Sequence, residues 1–318
     1  MRIFMTGVTG FAGSHLAEIL LEEGNEVAGL EHKGSGHQPV PSHPSYKSVP
    51  GNLMDLTFLV DYLSEEKPDL IFHLAGQASP SNSWKNPSKT IMINSGGTAN
   101  ILEATRLSCI PRLILITSGL IYNNLNPEDL PITEELPPNP AHPYGVSKMA
   151  ASALLRLYWQ RYQLPVIEAR PLNHIGPRQS PGFVVPDFAR QISKIKSGKT
   201  APLITVGNLE AWRDFTDVRD VARAYIALAH SGRVGEVYLV CSGVAVSIEY
   251  LLNELISLAD IDVAIVTDPQ RLQPLETRKI YGSYSKINKH TGWRPIISLH
   301  QSLTDSLKEW MEYWANEN

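Results

Sequence analysis

Apolar residues along the first half of the chain alternate between two spacings. Short apolar runs predict buried strands, and between them apolar residues recur three and four positions apart, which predicts helices. The predicted strands are 2–6, 26–30, 70–74, 113–117 and 166–169, the predicted helices are 11–23, 56–66, 91–107 and 144–162, and 33–50 is predicted to be a loop. Alternating strands and helices are typical of a doubly wound parallel sheet, so we expect an α/β fold.

The alternation breaks after Pro171 and returns once. A further helix is predicted at 218–230 and a further strand at 237–240, and we assign both to the first sheet. We therefore expect one domain from residues 1–172 plus about 216–246. Residues 173–215 and 247–318 are expected to form a smaller C-terminal α/β lobe that binds the substrate.

Composition narrows the class of protein. Apolar residues make up 43% of the 318 residues, charged residues 19%, and the net charge is −4 without a basic run, so we expect no nucleic-acid partner. The apolar runs are far shorter than a membrane span. Because the first predicted strand begins at residue 2, we expect no signal peptide. Cys109 and Cys241 lack metal-ligand spacing, and we expect two buried thiols in a cytoplasmic protein without a metal.

A glycine-rich loop directly follows the first predicted strand and opens the first helix. Its spacing, Gly-x-x-Gly-x-x-Gly, brings backbone N–H groups close to a pyrophosphate at a helix N-terminus. A simple turn would not need this position between a strand and a helix. The loop predicts a dinucleotide-binding domain of the Rossmann type, and the residues expected at the cofactor are Gly7, Gly10, Phe11, Ala12 and Gly13.

The second predicted strand leads into Glu31, His32 and Lys33. A carboxylate here can accept hydrogen bonds from the adenosine ribose and repels a 2′-phosphate. Glu31 therefore favours NAD(H). His32 and Lys33 could neutralise a 2′-phosphate, so NADP(H) remains possible, and a solvated charged turn is the alternative without function.

Three residues predict the chemistry. Tyr144 and Lys148 are four positions apart at the start of a long helix, so they share one face. A lysine ammonium beside a tyrosine is expected to lower its pKa toward neutrality. Ser118 follows a strand, at the sheet edge where ligands bind in open α/β folds, and could bind the oxygen that Tyr144 protonates. Tyr-x-x-x-Lys by itself is common in helices, and Ser118 could be a simple turn former.

These motifs together resemble the extended short-chain dehydrogenases, also called the NAD-dependent epimerase/dehydratase family. The further motifs are His73-Leu74-Ala75-Gly76, Asn94-Ser95-Gly96-Gly97-Thr98 and Arg170-Pro171-Leu172-Asn173. The resemblance implies that Ser118, Tyr144 and Lys148 are catalytic. It also implies a homodimer, in which the helices at 91–107 and 144–162 pair. The further cofactor contacts that it implies are Asn52, Leu53, Leu74, Ala75, Gly76, Thr117, Tyr144, Lys148, Pro171 and His174.

The second half of the chain resembles one branch of that family, the reductases of GDP-4-dehydro-6-deoxy-D-mannose. The similar runs are 173–177, 182–184 and 206–220. This resemblance implies that the substrate is a nucleotide-linked sugar. The implied substrate contacts are Ser118, Asn173, Val184, Asn208, Arg213, Glu276 and Arg278.

Two departures from the family pattern bear on the reaction. Leu120 and Ile121 stand where the related dehydratases carry the acid that eliminates water, and apolar side chains cannot do that work. Gln273 replaces an arginine of the phosphate site, where Arg271 or Arg278 could serve instead. We expect NAD(P)H-dependent reduction of a C4 keto group; a 4-epimerase with tightly bound NAD and an inactive nucleotide sensor are the alternatives.

Overall fold

The computed structural model of the chain describes residues 1–31, 38, 41–123, 125–271 and 277–316. The predicted cofactor residue His32 and the predicted substrate residue Glu276 lie outside the described residues. The strands are β1 (Arg2–Thr6), β2 (Glu26–Glu31), β3 (Tyr46–Pro50), β4 (Leu70–His73), β5 (Leu113–Ile116), β6 (Val166–Pro171), β7 (Asn173–Ile175), β8 (Leu203–Val206), β9 (Trp212–Asp217), β10 (Val237–Val240), β11 (Ala245–Ser247), β12 (Ala264–Thr267) and β13 (Lys279–Ile280).

Helices cover both faces of the central sheet. They are α1 (Phe11–Glu22), α2 (Leu56–Glu66), α3 (Pro80–Lys85), α4 (Pro87–Ile91), α5 (Gly97–Leu107), α6 (Pro143–Tyr162), α7 (Val184–Lys196), α8 (Val218–Ser231), α9 (Ile248–Ala259), α10 (Ser285–Thr291) and α11 (Leu299–Asn316). Successive residues of a strand face opposite sides, so Ile3 and Met5 pack against α1 and α8, whereas Phe4 packs against α2 and α5.

The central sheet has seven parallel strands in the order β3-β2-β1-β4-β5-β6-β10. The order reverses between β1 and β4, and all carboxyl ends lie at one edge. Ligands of open α/β sheets bind beside such a reversal. The predicted doubly wound parallel sheet is confirmed.

Two predicted elements differ from the structure. The segment 33–50, predicted to be a loop, contains β3, an edge strand in which only Val49 is buried. One buried position among polar residues leaves no alternating pattern to detect. The single helix predicted at 91–107 is divided into α4, a π-helical turn at Met92–Gly96, and α5. Asn94 of this turn binds the backbone of Gln77 through its amide nitrogen and oxygen, a contact that local periodicity cannot reveal.

A second core lies outside the central sheet. It is built around α7, α9 and α11 and the short sheet of β7, β9, β11 and β13. The chain returns to the first core through α8, and β10 pairs with β6. Ile287 of α10 and Trp293 also pack in the first core.

Asp214 of β9 connects segments that are distant in sequence. Its buried carboxylate accepts hydrogen bonds from the backbone N–H groups of Ser242, Gly243 and Gly282 and from the Ser242 hydroxyl. Burial raises the pKa of Asp214, and these donors oppose that shift. The carboxylate therefore holds the chain that follows β10 against β9.

The two cysteines lie in different surroundings. Cys241 is buried as expected, but Cys109 is exposed, so the expectation of two buried thiols is wrong for Cys109. It follows the end of α5 with a positive φ of 54° and turns outward there. No helix in the described ranges is both long and apolar enough to cross a membrane.

Candidate active site

The glycine-rich loop packs backbone directly on backbone. Gly7 has a φ of 77°, and a Cβ there would lie 2.7 Å from the backbone nitrogen of Ala75. A Cβ on Gly13 would lie 2.0 Å from the Gly7 carbonyl oxygen. Gly10 is the N-cap of α1 and provides no side-chain cap. The first N–H groups of α1 therefore face a cradle in which an anionic group can bind closely.

A buried chain of hydrogen bonds fixes the neighbouring strand end. Thr98 donates to the carbonyl of Asn94 and accepts from His73 Nε2, while His73 Nδ1 accepts from Thr6 at 2.7 Å. The Thr6 hydroxyl in turn accepts the N–H of Ala75. Burial lowers the pKa of His73 to about 3, so its ring is neutral. This chain holds the predicted cofactor residues Leu74, Ala75 and Gly76 beside the glycine loop.

The residues predicted at the adenosine end follow β2 and β3. Glu31 closes β2, and its carboxylate accepts a hydrogen bond from the Tyr46 hydroxyl at 2.7 Å. The side-chain oxygen of Asn52 accepts from the backbone N–H of Met54, so it already shapes the turn before α2. Leu53 is buried, and its carbonyl accepts from Asn100.

Ser118, Tyr144 and Lys148 meet at the carboxyl edge of the sheet. Ser118 follows β5; its hydroxyl accepts the N–H of Leu120 and lies close enough to Tyr144 to lower the pKa of that phenol. Lys148 Nζ donates to the Ile116 carbonyl at 2.9 Å. A Cβ on Gly76 would lie 3.6 Å from Nζ, which places the ammonium next to the predicted cofactor segment.

Burial controls the protonation of this group. It raises the pKa of Tyr144, an effect that the hydrogen bond from Ser118 only partly opposes. Burial also lowers the pKa of Lys148 to about 8, and the Glu168 carboxylate opposes that shift. The expected lowering of the Tyr144 pKa by Lys148 is therefore absent from this structure, because desolvation dominates and the ammonium is directed to a backbone carbonyl.

A buried ion pair lies beneath the three residues. Glu168 and Arg170 project from the same face of β6 and are 2.6 Å apart at their closest atoms. The carboxylate also accepts from Thr117 and Ser152, and Arg170 donates to Ser152 and Tyr122. Because Thr117 precedes Ser118 and Ser152 follows Lys148 by one turn of α6, the pair joins the two elements that carry the catalytic candidates.

His174 lies over the start of α1. Its ring stacks on Phe11 with centroids 5.6 Å apart and planes 11° apart, and its Nδ1 binds the Leu172 carbonyl. Burial lowers the pKa of His174, so the ring is neutral. The neighbouring Pro171 ends β6.

The structure brings only some of the predicted substrate residues together. Val184 and Asn208 line one cleft of about 280 Å³, and Arg271 lines it with them. Asn173 donates to the Asp214 carbonyl, and half-buried Arg213 donates to the carbonyls of Trp212 and Arg278. The side chain of Arg278 itself is exposed. Arg271 therefore gives this cleft a cation.

The residues present fit a nicotinamide dinucleotide. The glycine cradle admits a pyrophosphate, and the Lys148 ammonium lies between Gly76 and the Ile116 carbonyl of β5, near enough to bind a cofactor held there. The Tyr225 hydroxyl of α8 is buried without a partner in the described part of the chain, and its raised pKa, due mainly to burial, depends in part on Tyr144. A buried hydroxyl without a partner is one whose hydrogen bond a bound group can complete.

Comparison with known proteins decides the family. The family model described as GDP-mannose 4,6 dehydratase matches residues 4–306. The chain belongs to this family. GDP-6-deoxy-D-mannose reductase of Pseudomonas aeruginosa is 39% identical over 310 residues, which are 97% of each chain. The match confirms the resemblance to the extended short-chain dehydrogenases.

Two solved structures of this kind are similar over the whole fold. The RMD structure from Pseudomonas aeruginosa, complexed with NADPH, has a TM-score of 0.85 at 36% identity and covers 98% of this chain and 99% of its own. UDP-glucose 4-epimerase of Thermus thermophilus, in complex with NAD, has a TM-score of 0.87 at 30% identity and covers 98% and 99%. Enzymes of this type depend on NAD or NADP, and the chain is such an NAD(P)-dependent enzyme.

Sequence reasoning missed several residues of this dehydratase-family site. Tyr46 lies in the segment predicted to be a loop, and the Tyr225 hydroxyl gives no signal in sequence. Glu168 and Arg170 did give a signal in the sequence. Two charged residues at alternate positions of an apolar strand face the same side, and they must be paired if they are buried.

We predict that Arg170→Met lowers the free energy of unfolding by about 3–5 kcal/mol, because it leaves the Glu168 carboxylate buried without its cation. Urea unfolding followed by circular dichroism measures the loss. Arg294→Met, at an exposed arginine, is the control and should change stability by less than about 0.5 kcal/mol. A loss for Arg170→Met no larger than that of the control would show that the pair does not hold the site together.

Proposed function

We propose that this protein reduces the C4 keto group of a nucleotide-linked 4-keto-6-deoxy sugar with NAD(P)H, and that GDP-4-dehydro-6-deoxy-D-mannose is the substrate. The observation that carries the proposal is that the buried side chains of Ser118, Tyr144 and Lys148 meet at the carboxyl edge of the sheet. A tyrosine whose pKa is raised stays protonated at neutral pH and can supply the proton that a reduction consumes.

Each catalytic candidate has a role in this reaction. A bound NAD(P)H would provide the hydride for C4 of the sugar. Tyr144 donates its proton to the oxygen that becomes negative at C4, and Ser118 orients that oxygen by a hydrogen bond. Lys148 would provide positive charge beside Tyr144 and would donate a hydrogen bond to the ribose of a bound cofactor. One hydride and one proton together convert the ketone to an alcohol.

Two apolar residues argue against water elimination. Ile121 is fully buried. Leu120 lies in the short 3₁₀ turn after Ser118, and its backbone N–H donates to the Ser118 hydroxyl. Elimination needs a group that exchanges a proton at the sugar, and neither side chain can do so. The proposal therefore excludes the dehydratase reaction for which the family is named.

The proposed cofactor is NAD(H) in preference to NADP(H). Glu31 presents a carboxylate at the adenosine end, where it would bind the ribose hydroxyls and repel a 2′-phosphate. The relatives bind either cofactor, since one structure contains NADPH and the other NAD. The choice between them rests on this chain's own carboxylate.

The proposed sugar-nucleotide lobe comprises residues 173–215 and 247–318, beside a cofactor domain of 1–172 and about 216–246. Within the lobe, Val184 and Asn208 are proposed to contact the nucleotide in the cleft, with Arg271 as its phosphate ligand. Asn173, Arg213 and Arg278 are proposed along the path from that cleft to Ser118. An arginine suits a diphosphate because its planar fork binds two oxygens.

A 4-epimerase is the second candidate. The observation in its favour is the fold similarity to the Thermus thermophilus epimerase, at a TM-score of 0.87. An epimerase would use the same serine, tyrosine and lysine, but would retain NAD and show no net redox change.

A homodimer is proposed on the exposed apolar residues of α4–α6 and the π-helical turn between α4 and α5. Ile91, Met92, Leu107, Leu157 and Tyr162 are at least two-fifths exposed. So many apolar side chains on neighbouring helices are typical of an interface. We also propose a cytoplasmic location, where the free thiols of Cys109 and Cys241 would stay reduced.

The reaction itself is tested by two incubations. With GDP-4-dehydro-6-deoxy-D-mannose and NADH or NADPH, we expect the sugar to gain two hydrogens as the cofactor is oxidised. With GDP-mannose and NAD or NADP, we expect no loss of water. Mass spectrometry of the sugar nucleotides detects both the gain of two hydrogens and any loss of water. Water loss from GDP-mannose would contradict the proposal, and interconversion of two unmodified sugars without cofactor consumption would establish the epimerase.

We predict that Tyr144→Phe lowers turnover by about 10²- to 10⁴-fold, because the ring still packs but the proton donor is gone. The dissociation constant of the cofactor, measured by fluorescence titration, should stay unchanged. Tyr313→Phe, at an exposed tyrosine on α11 outside the proposed interface, is the control and should keep full turnover. Near-normal turnover in Tyr144→Phe would overturn the assignment of the acid.

We predict a mass of twice 35.2 kDa in light scattering at micromolar protein. Leu157→Glu should shift the mass toward one chain, because it places a charge in the proposed interface at a side chain that is 59% exposed. Ile296→Glu, at a similarly exposed apolar residue away from these helices, should leave the mass unchanged. A wild-type mass of one chain would refute the dimer.

A further inference from the structure

The edge strand β3 brings Tyr46 to the end of β2. Tyr46 pairs with Val27 in the register of the two strands, and its side chain extends along β2 until the hydroxyl reaches the Glu31 carboxylate at 2.7 Å. The phenol is the donor, since an ionised carboxylate can only accept. Two residues that are 15 positions apart are thus joined at the predicted adenosine end of the site.

Gly29 makes room for this contact. A Cβ on Gly29 would lie 2.3 Å from the Tyr46 hydroxyl oxygen and 2.7 Å from Cγ1 of Val8. Gly29 and Glu31 face the same side of β2, so the hydroxyl rests on the strand directly in front of the carboxylate. Val8 belongs to the glycine-rich loop, and the pair of Tyr46 and Glu31 therefore adjoins the cradle proposed for the pyrophosphate.

The surroundings of Tyr46 keep its phenol protonated. Burial raises the pKa of Tyr46, and the Glu31 carboxylate raises it further. The phenol therefore stays protonated at any pH at which the protein works and always presents its hydrogen to Glu31. A carboxylate held by one donor has one preferred direction, whereas a free glutamate at a strand end samples several rotamers.

We infer that Tyr46 is a positioning residue that sets the preference for NADH over NADPH by holding the Glu31 carboxylate where the adenosine ribose binds. The inference rests on the proposed cofactor site. A fixed carboxylate accepts the hydrogen bonds of both ribose hydroxyls without losing rotamer freedom on binding. It also cannot turn away from a 2′-phosphate, so the repulsion is retained in full.

The test measures binding without any sugar. Cofactor carried through purification is removed and quantified, and NADH and NADPH are then titrated separately by their fluorescence. The measured quantity is the dissociation constant for NADPH divided by that for NADH. In Tyr46→Phe we expect this ratio to fall by about threefold to tenfold, where tenfold corresponds to about 1.4 kcal/mol.

Tyr62→Phe is the matched control. The Tyr62 hydroxyl is also buried, on α2, but it has no partner in the described part of the chain and does not contact Glu31. Its removal should leave the ratio unchanged. Thermal unfolding of both variants shows whether they fold like the wild type.

A double-mutant cycle connects the effect to Glu31. Glu31→Gln should lower the ratio at least as much as Tyr46→Phe, because it removes the charge. Tyr46→Phe should then have little further effect in the Glu31→Gln background. Additive changes in the ratio would overturn the inference, as would equal changes in the affinity for both cofactors after Tyr46→Phe.

The outcomes separate this inference from the proposed function. If Tyr46→Phe leaves the ratio unchanged while the wild type prefers NADH, Tyr46 is merely structural and the reductase proposal stands. If the wild type binds neither cofactor, the proposed cofactor site fails, and the inference fails with it. A wild type that prefers NADPH would also overturn the inference, since Glu31 would then not control the choice.

Discussion

The buried ion pair of Glu168 and Arg170 is the interaction on which the site depends. Two charges removed from water are costly to bury, and they are tolerated only where hydrogen bonds satisfy the rest of each group. Here Thr117, Ser152 and Tyr122 provide those hydrogen bonds. Thr117 and Tyr122 lie in the segment that follows β5, and Ser152 lies in α6. The pair therefore fixes the relative position of the elements that carry the catalytic candidates.

The same carboxylate acts on the electrostatics of the site. Lys148 is buried, and desolvation lowers its pKa to about 8, while Glu168 opposes that change. Without that carboxylate, desolvation would favour the neutral amine more strongly. Tyr144 differs, since burial raises its pKa and keeps its proton in place. A protonated phenol beside a cation suits the delivery of a proton to a carbonyl oxygen, which is why the geometry favours a reductase.

Close backbone packing provides the second constraint. Gly7 and Gly13 admit no side chain, because Ala75 and the loop itself occupy the space. Gly29 leaves room in the same way for the Tyr46 hydroxyl. At each of these positions a missing Cβ allows a polar atom or a backbone segment to approach. The shape of the cofactor cradle therefore depends on the absence of these Cβ atoms as well as on the groups that line it.

Local spacing was enough to predict much of this protein. The alternation of strand and helix predicted the parallel sheet. The loop from Gly7 to Gly13 predicted the edge of that sheet at which a nucleotide would bind. Periodicity failed at β3 and at the π-helical turn around Asn94. An edge strand with one buried residue has no alternation to detect, and the turn depends on a contact with Gln77.

The sequence by itself determined the order of the elements, the glycine loop and the spacing of Tyr144 and Lys148 on one helix face. These follow from periodicity and from the stereochemistry of neighbouring residues. Only the tertiary structure decided that the Tyr144 pKa is raised, that Arg271 lines the cleft with Val184, and that Tyr46 holds Glu31. Burial and contacts between distant segments arise when the chain packs, and no local pattern encodes them.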